Sequence, residues 1–177
     1  MKYHNLCILS FATLLTCGCS DGPADNRVDS KANVIAPGTG TQYLASEEPA
    51  GVIGVRDARK SSETDKAISI EGRIGGSAEP FVDGIAAFTV VDLEVAHCSA
   101  DEGCPTPWDY CCTQDQVKDS IATVKLVDAD GQTVSSDARK LLGVNELSVV
   151  VAEGTARRDE SGNLTVAATK IFIRPVK

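Results

Sequence analysis

The segment from His97 to Cys112 constrains this chain more than any other part of its sequence. It holds four of the seven cysteines and the only tryptophan, and strand-like sequence lies on both sides of it. Clustered cysteines in an even number are typical of disulfides in an exported chain, and four of them allow three pairings. A Cys111–Cys112 bond would require a strained ring, so Cys98 and Cys104 are each predicted to pair with one member of that doublet. Which cysteine takes which partner stays open.

A metal site is the alternative interpretation of the same segment. His97 and the four thiols (Cys98, Cys104, Cys111 and Cys112) are suitable ligands for zinc or copper. The spacing argues against it, because it contains no Cys-x-x-Cys pair and adjacent cysteines are expected to point in different directions. The sequence therefore predicts no metal and no other cofactor. An extracytoplasmic metal or haem carrier is the alternative function, and a thiol redox protein built on the Cys111–Cys112 doublet is a third.

The first 18 residues have the composition of a bacterial secretory leader. A basic start precedes an apolar run at residues 6–15, which is too short to span a bilayer as a permanent helix. The sequence Leu-Thr-Cys-Gly-Cys at residues 15–19 resembles a bacterial lipobox, which implies cleavage after Gly18 and acylation of Cys19. We therefore predict a lipoprotein signal peptide over residues 1–18 and a lipid at Cys19 that anchors the chain to a bacterial membrane, in the periplasm or at the outer membrane. An ordinary cleaved leader, giving a secreted protein, is the alternative.

The rest of the chain divides by composition into residues 19–50 and residues 51–177. The first part is polar and rich in small residues, which predicts a flexible tether. The second alternates strand and turn signals, which predicts one all-β domain with one short helix, and a cysteine-rich loop at residues 94–118. The predicted elements are a lead-in strand at Gly51–Ala58, strands at Ala67–Ile74, Ile85–Val95 and Ser120–Val127, a helix at Ser136–Leu142 with Ser136 as N-cap and Gly143 as terminator, and a hairpin of Leu147–Gly154 and Asn163–Arg174.

Five principal strands with a short helix between the third and fourth follow the order of an OB-like Greek-key barrel. The closing hairpin at residues 149–173 is similar to that of OB-fold domains of secreted bacterial proteins. The chain also resembles a family of secreted bacterial lipoproteins of uncharacterised activity, on Glu-Gly-Arg-Ile-Gly-Gly at Glu71–Gly76 and Pro-Thr-Pro-Trp-Asp-Tyr-Cys-Cys at Pro105–Cys112. That resemblance implies an anchored OB-like domain and no known activity. A small β-sandwich is the alternative fold.

His97, Trp108, Asp109 and Tyr110 are the candidate binding residues of the loop. A lone histidine in a polar loop is usually solvated, and Trp108 is expected to cover the disulfides and the end of the barrel. Asp109 is expected to cap the turn that begins at Tyr110. These roles are structural, so the loop is predicted to be mainly a disulfide-linked structural element. It can still serve as a recognition surface, and the chemical role of His97 stays open.

Charge and residue inventory limit the function further. Removing residues 1–18 takes one lysine and no acid from the chain, so the formal net charge changes from −8 to −9. Such a surface repels polyphosphate and makes a nucleic-acid partner unlikely. With His4 in the leader, His97 is the remaining histidine, and no Gly-x-Ser-x-Gly sequence or phosphate loop occurs. We therefore predict a non-enzymatic lipoprotein whose OB-like module binds a protein or small molecule in the cell envelope.

Overall fold

The computed structural model of the chain describes residues 40–99, 101 and 103–175. The predicted leader, the lipidation site Cys19 and most of the predicted tether lie outside these residues. The strands are β1 (Ile53–Gly54), β2 (Ala67–Ile74), β3 (Phe81–Val82), β4 (Ala87–Val91), β5 (Ile121–Leu126), β6 (Val149–Arg158) and β7 (Leu164–Ile173). The helices are α1 (Val55–Ser61), α2 (Gln114–Val117) and α3 (Ala138–Leu142), with 3-10 helices at Thr41–Tyr43 and Pro107–Asp109. None of the described helices combines the length and apolarity that crossing a membrane requires.

Five of the strands close into a barrel. β2 pairs antiparallel with β6, β6 with β7, and β4 with β5, while β5 and β7 run parallel. The barrel closes where β4 returns to β2, through the pairs Arg73↔Val91 and Ile74↔Val90. With α3 between the third and fourth barrel strands, this is the strand order of an OB-fold. The predicted OB-like barrel is confirmed, and the alternative of a small β-sandwich is wrong because the two ends of the sheet are joined.

Alternating side chains of the barrel strands fill its interior. In β5, Ala122, Val124 and Leu126 are buried, and the residues between them are more exposed. This is the period of two that a half-buried strand requires. Gly72 lies where β2 crosses β4, and a Cβ atom at that position would come within 2.8 Å of the Val90 Cβ atom. A glycine there lets the two strands approach closely enough to close the barrel.

The predicted lead-in strand at Gly51–Ala58 is wrong beyond Gly54, because α1 begins at Val55. Two contacts from distant parts of the chain hold this helix. The main-chain N–H of Arg56 donates to the Asp92 carboxylate at 2.8 Å, which satisfies an otherwise unpaired donor at the helix start. At the other end, the Arg158 guanidinium donates to main-chain carbonyls, that of Ser62 among them at 3.0 Å. Neither partner can be recognised from the local sequence.

Three further boundaries differ from the prediction. The N-cap of α3 is Asp137 and not Ser136, since the Asp137 carboxylate accepts from the main-chain N–H groups of Arg139 and Lys140. The predicted strand at Ile85–Val95 is shorter as β4, which ends at Val91, and β6 continues past the predicted Gly154 to Arg158. The terminator of α3 is confirmed, because Gly143 has the left-handed conformation (φ 73°) that ends a helix.

The packed part of the chain begins before residue 51. Tyr43 is only 8% exposed and belongs to the main hydrophobic core. Leu44 forms a parallel bridge with Ile171 on β7, and the carboxylate of Glu48 forms an ion pair with Arg174. The predicted boundary between tether and domain at residue 51 is therefore too late, because residues 40–50 are packed on the barrel.

Candidate functional site: the cysteine loop

The cysteine loop joins β4 to β5 and has a small core of its own on the outside of the barrel. Val91, Val95, Tyr110 and Val117 are buried together there, and Ile121 packs against them. Tyr110 is fully buried and adopts a left-handed backbone (φ 57°), which turns the chain sharply after the 3-10 helix. The loop is thus folded back onto the second and third barrel strands.

The loop packs against two adjacent glycines, Gly75 and Gly76, that follow β2. The main-chain N–H of Gly76 donates to the Trp108 carbonyl at 2.8 Å, and that of Gly75 donates to the Thr89 carbonyl at 3.1 Å. A Cβ atom on Gly75 would lie 2.5 Å from the Trp108 carbonyl oxygen, and one on Gly76 would lie 2.6 Å from the Ile121 Cδ1 atom. The segments Glu71–Gly76 and Pro105–Cys112 are therefore in direct contact.

Side-chain hydrogen bonds fix the turn that carries the cysteine doublet. The Asp109 carboxylate accepts from the main-chain N–H of Cys111 at 2.8 Å and from the Thr106 hydroxyl at 2.6 Å. The expected capping role of Asp109 is therefore confirmed. The same two hydrogen bonds, that from Thr106 first, lower the pKa of the Asp109 carboxyl. The Thr113 hydroxyl closes the base of the loop by donating to the Ala96 carbonyl at 3.0 Å.

Trp108 is half-buried and lies beside a polar groove on the barrel surface. Its indole Nε1–H donates to the Ala78 carbonyl at 3.0 Å. Ala78 also lines the groove, which has a volume of about 520 Å³ and includes Phe81 and Arg139. The Arg139 guanidinium lies 5.0 Å from the centre of the Phe81 ring. Trp108 is therefore joined to one side of this groove through Ala78.

The four sulfur atoms of the loop form one cluster. The Sγ atom of Cys111 lies 3.3 Å from those of both Cys98 and Cys104. The Sγ atom of Cys112 lies 3.7 Å from those of Cys98 and Cys111. All four sulfurs are within 4.8 Å of one another. These separations exceed the S–S bond of about 2.05 Å, so the predicted disulfides are not formed in this structure and stay a prediction.

The expectation that Cys111 and Cys112 diverge is wrong. It assumed a regular extended or helical backbone, whereas the left-handed Tyr110 starts a turn, in which the Thr113 N–H donates to the Tyr110 carbonyl at 2.8 Å. Both sulfurs of the doublet therefore reach the same cluster. The spacing argument against shared ligation by neighbouring cysteines does not apply to this backbone.

Hydrogen bonds among the closely spaced thiols shift the pKa values of Cys98, Cys104 and Cys111 unequally. The pKa of the Cys98 thiol is lowered, first by the main-chain N–H of Cys112 that donates to it and then by the Cys111 thiol. The pKa of the Cys111 thiol is strongly raised, because this thiol hydrogen-bonds to those of Cys104, Cys98 and Cys112, with the Cys104 contact contributing most. For Cys104 the hydrogen bond with Cys111 lowers the pKa, but the interaction with Cys98 and burial outweigh it, and the net pKa is raised. These hydrogen bonds therefore shift the pKa values of Cys98 and Cys111 in opposite directions.

His97 is not a member of the sulfur cluster. Its Nδ1 atom hydrogen-bonds to the Cys98 carbonyl at 2.9 Å, and its ring meets that of Tyr110 edge-on at 6.4 Å. Of the candidate binding residues, His97, Trp108 and Asp109 are accessible, whereas the Tyr110 side chain supports the loop from beneath. Burial raises the pKa of Tyr110, and nearby Arg73 opposes this in part without a hydrogen bond to the buried hydroxyl.

The sequence predicts the importance of the four cysteines but not that of the residues that position the loop. These residues are Gly75 and Gly76, which lie against the Trp108 segment, and Thr113, which closes the base of the loop. A glycine pair directly after a strand was the available signal that another part of the chain approaches closely there.

Comparisons with known proteins add little to this geometry. No family model matches the chain, and no curated protein matches it. One similar solved structure is that of a protein named as an aspartyl-tRNA synthetase of Leishmania major Friedlin, with a TM-score of 0.39 and 11% sequence identity. The match covers 73% of this chain and 22% of that protein, so the chain spans less than a quarter of its length.

Proposed function

We propose that this protein is a non-enzymatic, membrane-anchored extracytoplasmic lipoprotein that presents its OB-like barrel as a binding or interaction module. The observation that carries the proposal is the position of the cysteine loop. The loop packs its own buried core against β4 and β5 at Val91 and Ile121, while Trp108 stays half-exposed beside the groove near Phe81. The surface offered to a partner is therefore the loop and this groove.

The position of the cysteine loop on the barrel also favours a partner other than nucleic acid. OB-folds that bind oligonucleotides use the face of their second and third strands together with the neighbouring loops. Here those strands are β4 and β5, and Tyr110 and Val117 pack against that face. The formal charge of −9 without the leader also opposes polyphosphate binding. A protein or a small molecule of the cell envelope is the partner that fits.

The setting of His97 supports a non-enzymatic role. Its Nδ1 atom is engaged by the neighbouring Cys98 carbonyl, and its ring contacts Tyr110. A catalytic imidazole would need a nucleophile or a second acid within hydrogen-bond reach. The interactions of His97 instead help to shape the loop.

The proposed membrane anchor rests on the sequence alone. A lipid on Cys19, followed by a polar segment, would hold the barrel near a membrane of the periplasm or the outer membrane and leave the cysteine loop free for a partner. In this arrangement the tether ends before Tyr43, whose ring is packed in the main core.

Metabolic labelling of the full-length chain with a fatty acid tests the anchor. We expect label on the wild type and its complete loss in Cys19→Ala, because the thiol at that position receives the lipid. Cys17→Ala is the matched control and should keep the label, since it changes a neighbouring cysteine of the same leader. Label that persists in Cys19→Ala, or a wild type without label, contradicts the proposal.

Photo-crosslinking in intact cells tests the presented surface. A photoreactive residue in place of Trp108 should give a discrete crosslinked species, and one in place of Thr169, on the outside of β7, should not. The same products from both positions, or none from position 108, would contradict the assignment of the loop as the binding surface.

A further inference from the structure

We propose that Cys98, Cys104, Cys111 and Cys112 together bind one zinc ion in a tetrahedral site. The inference goes beyond the proposed function and holds whether or not Cys19 is acylated. It replaces two disulfides by one central ion as the element that orders the cysteine loop.

The sulfur separations are close to those of a tetrahedral thiolate site. A zinc–sulfur bond is about 2.3 Å long, so the sulfurs of a regular site lie about 3.8 Å apart. Two of the separations, Cys98 to Cys112 and Cys111 to Cys112, are 3.7 Å. The two contacts of Cys111 with Cys98 and Cys104 are 3.3 Å, and no pair of the four exceeds 4.8 Å. Changes of at most about 1 Å in these separations would complete the tetrahedron.

The way the sulfurs share their neighbours fits a single central ion. Here the Sγ atom of Cys111 is equally close to two sulfurs, and that of Cys112 is equally close to Cys98 and Cys111. Four atoms that are mutual neighbours surround a common centre, which is the arrangement a single ion needs.

Hydrogen bonds outside the cluster hold the backbone that carries the cysteine doublet. The Asp109 carboxylate accepts from the main-chain N–H of Cys111 at 2.8 Å and from the Thr106 hydroxyl at 2.6 Å. Such outer contacts orient metal ligands and are commonly needed for affinity. They come from the 3-10 helix at Pro107–Asp109 and the turn after it.

Four thiolates select the ion and its role. Soft sulfur ligands in a tetrahedron suit zinc and disfavour magnesium and calcium, which prefer oxygen. Four protein ligands leave no open position, so the site is structural and not catalytic. Binding forms four zinc–sulfur bonds and releases the thiol protons to solvent, with no electron transferred. The ion would tie Cys98, near the end of β4, to the doublet next to α2 and so keep Tyr110 in its buried position.

Metal and thiol analysis of the full-length chain tests the site. The chain is purified from whole cells in detergent, so that anchored and soluble protein are both recovered, without reductant or chelator, and its zinc is measured by elemental analysis. We expect one zinc per chain, and four additional titratable thiols after denaturation in the presence of a chelator. The emission of Trp108, the only tryptophan in the chain, should change when the chelator removes the ion.

Variants locate the ligands. Cys104→Ser and Cys112→Ser should each weaken zinc binding by at least roughly tenfold, because even the loss of a second-shell partner commonly costs that much. His97→Ala is the matched control and should keep one zinc per chain, since its imidazole lies outside the cluster. Replacement of zinc by cobalt in the wild type gives a second readout: the visible spectrum should be that of a tetrahedral site with thiolate ligands and should be unchanged in His97→Ala.

Several results would overturn the proposal. Two disulfides and no metal in the isolated chain would do so, even if the reduced chain took up zinc. So would free thiols that bind no added zinc, zinc retained at full affinity in both cysteine variants, or a cobalt spectrum without thiolate ligands.

Discussion

At the scale of single residues, Gly76 couples the barrel to the cysteine loop. Its φ of +94° is one that L side chains rarely adopt, and its N–H holds the Trp108 carbonyl. A side chain at this position would press on Ile121 and Val91, which belong to the loop core. The absence of a side chain at Gly76 therefore allows the cysteine loop to pack directly on the barrel strands.

Gly76→Ala should lower the free energy of unfolding by more than the backbone strain alone. A left-handed alanine costs about 1–2 kcal/mol, and overpacking against Ile121 and Val91 adds about 1–3 kcal/mol. Gly84→Ala is the matched control, because Gly84 also has a positive φ (+78°) but open space around it. Denaturant unfolding of the full chain measures both. Equal losses in the two variants would contradict the close packing of the loop.

At the scale of elements, α3 illustrates how a local hydrogen bond sets a helix boundary. The Asp137 carboxylate accepts from the Arg139 N–H at 2.9 Å and forms an ion pair with the Arg139 guanidinium at 2.8 Å. The hydrogen bond with that guanidinium is the main reason why the pKa of Asp137 is lowered. The charged form of Asp137 therefore stabilises the folded chain.

Asp137→Ala should destabilise the chain by about 1 kcal/mol at pH 7, the usual value of an N-cap. Because the folded pKa lies below the unfolded value of about 3.9, the contribution of the charge is present above that value and is lost as the pH falls through the folded pKa. Asp137→Asn, which keeps an acceptor, should lose less. Unfolding curves at neutral and acidic pH measure the effect. If the stability difference between the wild type and Asp137→Ala grew on acidification, the stabilising role of the charged Asp137 would be contradicted.

Local sequence predicted the elements whose cause is local. The period of two in Ala67–Ile74 and Ser120–Val127 gave β2 and β5, and Gly143 ended α3 where expected. α1 was missed because Asp92 and Arg158, far along the chain, satisfy its ends. The meeting of the Cys111 and Cys112 sulfurs was missed because it depends on the left-handed Tyr110, whose conformation is set by its burial against Val91 and Val117.

At the scale of the whole molecule, the barrel is extended by the segment before β1. Tyr43 contributes its ring to the main core, and the Ala45 N–H donates to the Ile171 carbonyl at 2.8 Å. The composition of this segment resembles a linker, so its packing could not be recognised without the barrel surface that receives it. The tether that would connect the barrel to a lipid is shorter as a result.

Tyr43→Ala should lower the free energy of unfolding by about 3 kcal/mol, as is usual when a buried aromatic side chain is removed. Gln42→Ala is the matched control, because the neighbouring Gln42 is exposed, and a surface change of this kind stays within about 0.5 kcal/mol. Denaturant unfolding of both variants measures the difference. If the two variants had the same stability, residues 40–50 would not be part of the folded domain.

The two proposals together describe a lipid-anchored OB-like barrel whose cysteine loop is ordered by one zinc ion. Native mass spectrometry of the chain isolated from cells in detergent tests both, because one spectrum reports the N-terminus, the lipid and the metal. We expect residues 19–177 with acyl groups on Cys19 and one bound zinc, which is lost on denaturation to leave four reduced cysteines in the loop. A mass without acyl groups would contradict the anchor, and a mass without zinc and with two disulfides would contradict the metal site.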